Sequence, residues 1–305
     1  MSIIITILLL LAGFAILLKG ADWFVESSAS IAATLGVSKF VIGFTLVAFG
    51  TSLPEMAVSV VASFLKASEI AAGNVVGSNI ANIGMVLGIA ALIFTIKIHK
   101  TDFKHGLIMF LVSVLCFGLI WNGLNRIEGA ILFLCLVVYV RYLLKNDKKG
   151  KAEAQKDSIA RSILFCIIGL AGVILGSHLL VNSSISIAEL LGIPQIVIGM
   201  TIVALGTSLP ELVTSLVAAK KGMQEIAIGN IIGSNMFNIS AVLGLSAIVR
   251  PITAIPRLFF FDMPVMLGIT ALMLLFLRQK KEIHRWQGAV FVALYSAFVV
   301  AAFLL

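Results

Sequence analysis

Two stretches of the chain decide its fold: VIGFTLVAFGTSLPE at residues 41–55 and VIGMTIVALGTSLPE at residues 197–211. The second lies 156 positions after the first, and the same shift places GNVVGSNIANIGMVLG at 73–88 on GNIIGSNMFNISAVLG at 229–244 without a gap. Apolar composition does not explain matching polar residues inside apolar segments. The chain therefore contains an internal repeat.

The composition around these stretches is that of a membrane protein. Of the 305 residues, 60% are hydrophobic and only 12% are charged, which excludes a soluble domain with an ordinary polar surface. The net charge of +8 does not imply a nucleic-acid partner, because basic residues of membrane proteins concentrate in cytoplasmic loops. Cys116, Cys135 and Cys166 lie in separate apolar stretches, so neither a disulfide nor a metal site is indicated.

Segments long enough to cross a bilayer, about 20 mostly apolar residues each, recur along the whole chain. They are predicted at 2–34, 40–65, 69–96, 104–121, 126–144, 162–190, 196–219, 225–249, 258–277 and 285–304. The charged segment KNDKKGKAEAQKDSIAR, at 145–161, separates five spans from five. The sequence thus predicts an all-α membrane protein of ten transmembrane helices, with one five-helix repeat at 1–144, a linker at 145–161 and a second repeat at 162–305.

Lysine and arginine are unevenly distributed among the predicted loops. With the linker on the cytoplasmic side, the opposite side keeps only Lys66, Arg126, Arg250 and Arg257. This asymmetry predicts a multi-pass cell-membrane protein with both termini outside and the linker inside. An odd number of helices in each half makes the halves enter the membrane in opposite directions, so the repeat is predicted to be inverted, as in many secondary transporters.

Glu55 and Glu211 end the first repeated stretch in each half. Each lies in a long apolar run, where a carboxylate is unfavourable unless it is paired, solvated or neutralised. No basic residue lies near the middle of the four repeated helices, so the two acids require a bound cation or a proton. Pro54 and Pro210 cannot donate a helical hydrogen bond, which predicts a broken helix with free carbonyl oxygens beside each glutamate.

Hydroxyl and amide groups repeat around the glutamates. Hydroxyls on the same turn come from Thr51, Ser52, Thr207 and Ser208, and polar stripes at i, i+4 and i+8 come from Asn74, Ser78, Asn82 and from Asn230, Ser234, Asn238. Carbonyl, hydroxyl and carboxylate oxygens suit hard cations such as Ca²⁺ and Na⁺, whereas the thiolates and imidazoles of zinc or copper sites are missing.

Two further pairs of repeated residues are expected to have structural roles. Glycine pairs at i and i+4, Gly73 with Gly77 and Gly229 with Gly233, are typical of close helix packing. Asn79 and Asn235 lie off the stripes and are expected to form structural hydrogen bonds.

With these motifs, the chain resembles the cation/calcium exchanger superfamily, most closely its prokaryotic sodium/calcium exchanger branch. The resemblance spans the whole chain and is most specific in the two alpha repeats, at 43–88 and 199–244, where GTSLPE is followed by GNxxGSNxxN. It implies ten helices, four cation sites at mid-membrane, and a first and a sixth helix that slide across this core. The cation sites that it implies are formed by Ala48, Thr51, Ser52, Glu55, Ser78, Asn82, Ala204, Thr207, Ser208, Glu211, Ser234 and Asn238.

One position departs from part of that family. Some relatives carry Asp where this chain has Asn238, and potassium-dependent relatives are among them. With Asn82 and Asn238 both neutral, the site has two formal negative charges, which balance one Ca²⁺ or two Na⁺. The resemblance therefore leaves the sodium-to-calcium ratio open and argues against a potassium requirement.

The sequence predicts a secondary active antiporter in which Ca²⁺ and Na⁺ compete for sites between Glu55 and Glu211 by alternating access. Neither enzyme activity nor a cofactor beyond the transported ions is expected, and a monomer is expected to function in the bilayer. The nearest alternative is a Ca²⁺/H⁺ antiporter; a cation channel and an intramembrane protease are the alternatives from other classes. Gating or helix-end roles are expected for Asp22, Glu26, His178, Glu189 and Asp262.

Overall fold

A computed structural model describes residues 3–147, 158–191, 204–279 and 282–304. Within these ranges the chain is helical apart from two short strands. In chain order the helices are α1 (Ile3–Leu35), α2 (Lys39–Thr51), α3 (Leu53–Phe64), α4 (Glu69–Ile93), α5 (Lys100–Leu119), α6 (Arg126–Asn146), α7 (Ile159–Leu190), α8 (Ala204–Thr207), α9 (Leu209–Lys220), α10 (Gln224–Val249), α11 (Leu258–Arg278) and α12 (Arg285–Leu304).

Eight of the described helices are long and apolar enough to cross a membrane, and the number is nine when α2 and α3 count as one bent span. The protein is therefore an all-helical membrane protein. The predicted seventh span, 196–219, begins outside the described residues, and α8 and α9 cover its remainder. The middle of the predicted linker also lies outside them.

The helix break predicted before Glu55 is confirmed. The axes of α2 and α3 differ by 48°, and Ser52 between them has φ −83° and ψ 5°. Pro54 lies in the first turn of α3, where a backbone N–H has no acceptor within the helix. The missing N–H of proline therefore costs no helical hydrogen bond there. Ser208 has nearly the same backbone angles, φ −91° and ψ 4°, so the break recurs before α9.

The turns after α3 and α9 also match. Lys66 and Gly222, which are equivalent in the repeat, have φ of 67° and 73°. In the first turn the Ala67 N–H donates to the Ala62 carbonyl at 2.8 Å, and the equivalent bond in the second turn is 2.9 Å long. Both are helix C-terminal caps that need a left-handed residue, and only the second turn has glycine there.

Helices α4 and α10 form the centre of the molecule. Within the most apolar 18-residue stretch of each helix, 78% of the residues of α4 and 89% of those of α10 are buried, compared with 22% for α1. The close approach predicted for Gly229 and Gly233 is confirmed, because a Cβ atom on either would lie 2.5 Å from a carbonyl oxygen of α2, that of Phe40 or that of Phe44. The residues equivalent to Phe40 and Phe44 lie outside the described part, so the prediction for the first glycine pair stays a prediction.

Helices α1 and α7 pack backbone to backbone. A Cβ atom on Gly20 would lie 2.6 Å from the Val173 nitrogen, and one on Gly169 would lie 2.5 Å from the Phe24 nitrogen. Ser30 and Ser162 add a hydroxyl contact of 2.7 Å between the same helices. Glycine lets the two backbones approach this closely, so α1 and α7 form one tightly joined pair.

Two details differ from the predicted elements. The strands β1 (Ile96–Lys97) and β2 (Glu282–Ile283) pair antiparallel and join the end of α4 to the start of α12. The predicted span 104–121 is wrong at its start, since α5 begins at Lys100. A capping box between His99 and Asp102 supports this extra turn, with the His99 N–H donating to the Asp102 carboxylate at 2.7 Å.

Candidate functional site

The two helix breaks bring the predicted acids to the centre of the molecule. Glu55 and Glu211 lie in the first turns of α3 and α9, with 1% and 0% of their surfaces exposed. The Ser52 hydroxyl, three residues before Glu55, donates to the Glu211 carboxylate, so the break before α3 lies against Glu211. Each acid lies in the first turn of a helix, where the positive N-terminal end of the helix dipole favours a negative charge.

The carboxylate oxygens are largely without protein donors. Within the described chain, neither oxygen of Glu55 has a hydrogen-bond partner, and Oε2 of Glu211 has none. Oε1 of Glu211 accepts a 3.3 Å hydrogen bond from the Ser52 hydroxyl. Buried carboxylate oxygens without donors are strongly unfavourable unless a cation or proton neutralises them.

The other predicted site residues differ in their burial. Most are buried, and Thr207 is half-buried; the side chain of Ala204 lies outside the described part. The buried ones are Ala48, Thr51, Ser52, Ser78, Asn82, Ser208, Ser234 and Asn238. Further oxygens without a described partner are those of Ser208, Asn82 and Asn238. These residues thus supply buried hydroxyl and amide oxygens, which are ligand types that hard cations prefer.

Two described contacts from hydroxyls of the first half cross to the second half of the chain. The Ser52 hydroxyl of the first half donates to Glu211 of the second. The Thr51 hydroxyl lies 3.2 Å from Oδ1 of Asn230. Each of these contacts therefore depends on the relative position of the two halves.

The polar stripes are held by hydrogen bonds that repeat between the halves. Nδ2 of Asn74 donates to the Ser59 hydroxyl at 2.9 Å, and Nδ2 of Asn230 donates to the Ser215 hydroxyl at the same distance. These serines orient the stripes, and the sequence interpretation missed them, although Ser59 and Ser215 also match under the 156-residue shift.

Asn79 and Asn235 have the structural role expected of them. The Asn79 amide donates to the Asn235 carbonyl at 3.2 Å, and the Asn235 amide donates to the Asn79 carbonyl at 3.4 Å. Nδ2 of Asn82 donates to Oδ1 of Asn235 at 3.0 Å. This reciprocal pair joins α4 to α10 where both helices change winding, since Asn82 and Asn238 each begin a π-helical segment.

A cavity of about 210 Å³ lies between α4 and α12 and has predicted site residues in its walls. Its walls include Asn74, Ser78 and Thr207, and α12 covers it with Tyr295 and Phe298. Asn74 is only half-buried, whereas its repeat equivalent Asn230 is fully buried. The stripe of α4 is therefore more accessible than that of α10.

The described residues for which gating or helix-end roles were expected have polar partners of their own. Asp262 pairs with Arg257 at 3.8 Å, and His178 bonds to Asn182 one turn along α7 at 2.9 Å. Glu189 has a side chain outside the described part. Asp22 and Glu26 contact Lys221. This link was not predicted from the sequence, because Lys221 is far from both acids in the chain.

Comparison with known proteins gives a consistent result along the whole chain. A family model described as sodium/calcium exchanger protein matches residues 5–145 and 161–304. The sodium/calcium exchanger MaX1 of Methanosarcina acetivorans is 39% identical, with 99% of each chain covered. The inner membrane protein YrbG of Escherichia coli is 33% identical, with 96% of this chain and 94% of that protein covered.

The fold is also similar to a solved structure. The sodium-calcium exchanger NCX_Mj, soaked with Na⁺ and Ca²⁺, superimposes with a TM-score of 0.88 at 38% identity. The match covers 98% of this chain and 99% of that one. The likeness therefore extends over nearly the whole chain.

Proposed function

The chain belongs to the sodium/calcium exchanger protein family, and from that membership we propose that it carries Ca²⁺ and Na⁺ in opposite directions through a site between Glu55 and Glu211. The observation that carries the proposal is this buried pair of carboxylates, three of whose four oxygens have no described protein donor. A bound cation removes the repulsion between them. We assign the same site to both ions, so that they compete.

The proposed ion ligands are the predicted ones. Carboxylate oxygens come from Glu55 and Glu211, and neutral oxygens come from Ala48, Thr51, Ser52, Ser78, Asn82, Ala204, Thr207, Ser208, Ser234 and Asn238. What supports this set is its burial and its position at the two helix breaks. With Asn82 and Asn238 neutral, one Ca²⁺ or two Na⁺ balance the site. This balance supports transport without potassium.

Competition at one site accounts for exchange. A filled site is close to neutral and can cross the dehydrated intermediate between inward and outward access, whereas two bare carboxylates cannot do so at an acceptable free energy. The empty protein therefore stays in one orientation until an ion binds. Each ion must leave before the other can make the return step.

For the architecture we propose ten spans in two inverted five-helix repeats, at 1–144 and 162–305. Both termini lie outside the cell, and the 145–161 linker lies inside. Supporting observations are the matched turns at Lys66 and Gly222 and the matched breaks at Ser52 and Ser208. With this orientation, the cavity along α12 opens to the outside, so ions enter past Asn74 and Ser78. We propose that a monomer is sufficient, because this path and site lie within one chain.

The deciding experiment measures ⁴⁵Ca²⁺ uptake into proteoliposomes. We expect uptake into sodium-loaded vesicles and none into potassium-loaded vesicles. Glu55→Gln should abolish the uptake, because it removes half of the site's charge. Glu69→Gln is the matched control: this exposed glutamate at the start of α4 lies outside the site, so its loss should leave uptake unchanged.

Two other outcomes would overturn the proposal. Uptake driven by acid-loaded vesicles would make the protein a Ca²⁺/H⁺ antiporter, an alternative that the family match and the named relatives do not favour. Calcium entry that needs no counter-ion gradient would make it a channel.

A further inference from the structure

The ion cluster of Asp22, Glu26 and Lys221 lies away from the proposed ion site. Lys221 Nζ lies 2.6 Å from Asp22 Oδ1 and 2.5 Å from Glu26 Oε1, and Lys19 Nζ lies 3.3 Å from the other oxygen of Asp22. The side chain of Lys221 is 22% exposed, less than that of either acid. This lysine is therefore the shared centre of the cluster.

The cluster joins α1 to the end of α9. Asp22 and Glu26 lie on α1, which is interlocked with α7 through glycines. Lys221 follows the last residue of α9, the helix that begins beside Glu211. The remaining contact between α1 and α9 is made by aliphatic side chains, among them Leu17 and Ala21 against Val213 and Val217. Such side chains oppose sliding only weakly, because they lack directional bonds.

The spacing of the two acids limits how far α1 can move along its axis before Lys221 loses contact with one of them. Asp22 and Glu26 are four residues apart on one helix face, so their carboxylates are separated by about one helical turn, ~6 Å along the axis. Lys221 contacts both in this structure. A shift of α1 along its axis by one turn in either direction leaves the lysine with one acid at most.

Lys221 also retains its charge in this position. Partial burial alone would lower the pKa of Lys221, but its hydrogen bonds to Asp22 and Glu26 outweigh that effect and raise this pKa above its ordinary value.

We propose that Asp22, Glu26 and Lys221 form a latch that fastens the α1–α7 pair to the end of α9 and stabilises the position seen here against the position one turn away. Lys221 is thus a positioning residue, which acts on access to the site and contacts no transported ion. The link to transport rests on the proposed function, whereas the latch itself is a statement about helix position. Exposed ion pairs contribute modestly, so loss of the latch should change the population ratio of the two positions roughly two- to fivefold.

The test measures helix position directly, with spin labels at Leu11 on α1 and Ile127 on α6. Both side chains are exposed, at 57% and 74%, and the native cysteines are first replaced by alanine. In Lys221→Gln, the distance distribution should gain a second component, as expected when α1 moves along its axis by about one turn, ~5 Å. Lys221→Arg should resemble the wild type. Lys220→Gln is the matched control, because this neighbouring lysine is exposed and forms no described ion pair, so the same loss of charge should leave the distances unchanged.

A second measurement connects position to transport. The ratio of the KM values for Ca²⁺ at the two membrane faces should change two- to fivefold in Lys221→Gln and remain constant in Lys220→Gln. The charge-swapped variant Lys221→Glu with Glu26→Lys should restore part of the wild-type ratio. A merely structural lysine would lower protein yield without altering this ratio.

The outcomes separate the latch from the proposed function. Unchanged distances in Lys221→Gln overturn the latch, whatever the transport result. Shifted distances in a protein whose wild type shows no sodium-driven Ca²⁺ uptake support the latch and overturn the proposed function. Equal shifts in both glutamine variants overturn the latch, since they would report general surface charge.

Discussion

In the absence of bound ions, the buried carboxylate of Glu55 lowers the free energy of unfolding of the protein. We expect Glu55→Gln to raise the free energy of unfolding in ion-free buffer by about 1–3 kcal/mol, which corresponds to a few degrees in Tm. Ca²⁺ should raise the Tm of the wild type and no longer raise that of the variant. Thermal unfolding in detergent, followed by near-UV circular dichroism, measures both effects.

Glu69→Gln again serves as the control, since an exposed carboxylate at a helix start is solvated in both ion states. It should leave the Ca²⁺-dependent rise in Tm intact. A full Ca²⁺-dependent rise in Glu55→Gln would place the ions elsewhere.

Lys66 is the one described residue other than glycine with a positive φ, at 67°. The left-handed region costs a residue with a Cβ atom about 1–2 kcal/mol relative to glycine. Lys66→Gly should therefore stabilise the protein by up to about 1 kcal/mol, and Gly222→Ala should destabilise it by a similar amount, as read from denaturation midpoints. A loss of stability in Lys66→Gly would mean that the lysine side chain stabilises the turn through contacts of its own.

At the scale of elements, the α1–α7 pair depends on glycine at its crossing points. Gly20→Ala would place a methyl group 2.6 Å from the Val173 nitrogen, so one backbone must move. We expect a destabilisation of roughly 1–3 kcal/mol and separation of the two helices, measured by thermal unfolding and by spin labels on α1 and α7.

Gly268→Ala provides the comparison for that variant. Gly268 lies within α11 and is exposed, and no described atom lies within 4 Å of a Cβ atom there. Alanine should stabilise α11 by about 0.5–1 kcal/mol, since it lowers the entropy of the unfolded chain. Equal effects of the two substitutions would show that the close approach of α1 and α7 contributes nothing to stability.

At the scale of the whole molecule, the proposed inversion of the two repeats makes a prediction about sidedness. Lys66 and Lys220 lie in equivalent turns of the two halves. In a background without native cysteines, a membrane-impermeant thiol reagent should label Lys66→Cys from outside intact cells and Lys220→Cys only after the cells are opened. Labelling of both from the same side would exclude inversion.

Much of the fold follows from local rules that act within one segment. Apolar runs longer than a bilayer is thick predict the spans, and proline before each glutamate predicts the helix break that is seen at Ser52. The start of α5 was missed because a capping box adds a turn outside the apolar run. The β1–β2 pair was missed because two residues on each side give no periodicity, and the two strands are far apart in sequence.

The sequence by itself determined the membrane class, the repeat and the residue types of the candidate site, because each depends on composition or on spacing within a helix. Only the tertiary structure decided which equivalent side chains have different contacts. The Ser52 hydroxyl donates to the Glu211 carboxylate, whereas the Ser208 hydroxyl and the Glu55 carboxylate have no described partner. It also decided that Lys221 meets Asp22 and Glu26 of α1. A sequence repeat is symmetric, but the contacts of the folded chain are not. The contacts that break the symmetry form between segments far apart in the chain, where no local pattern records them.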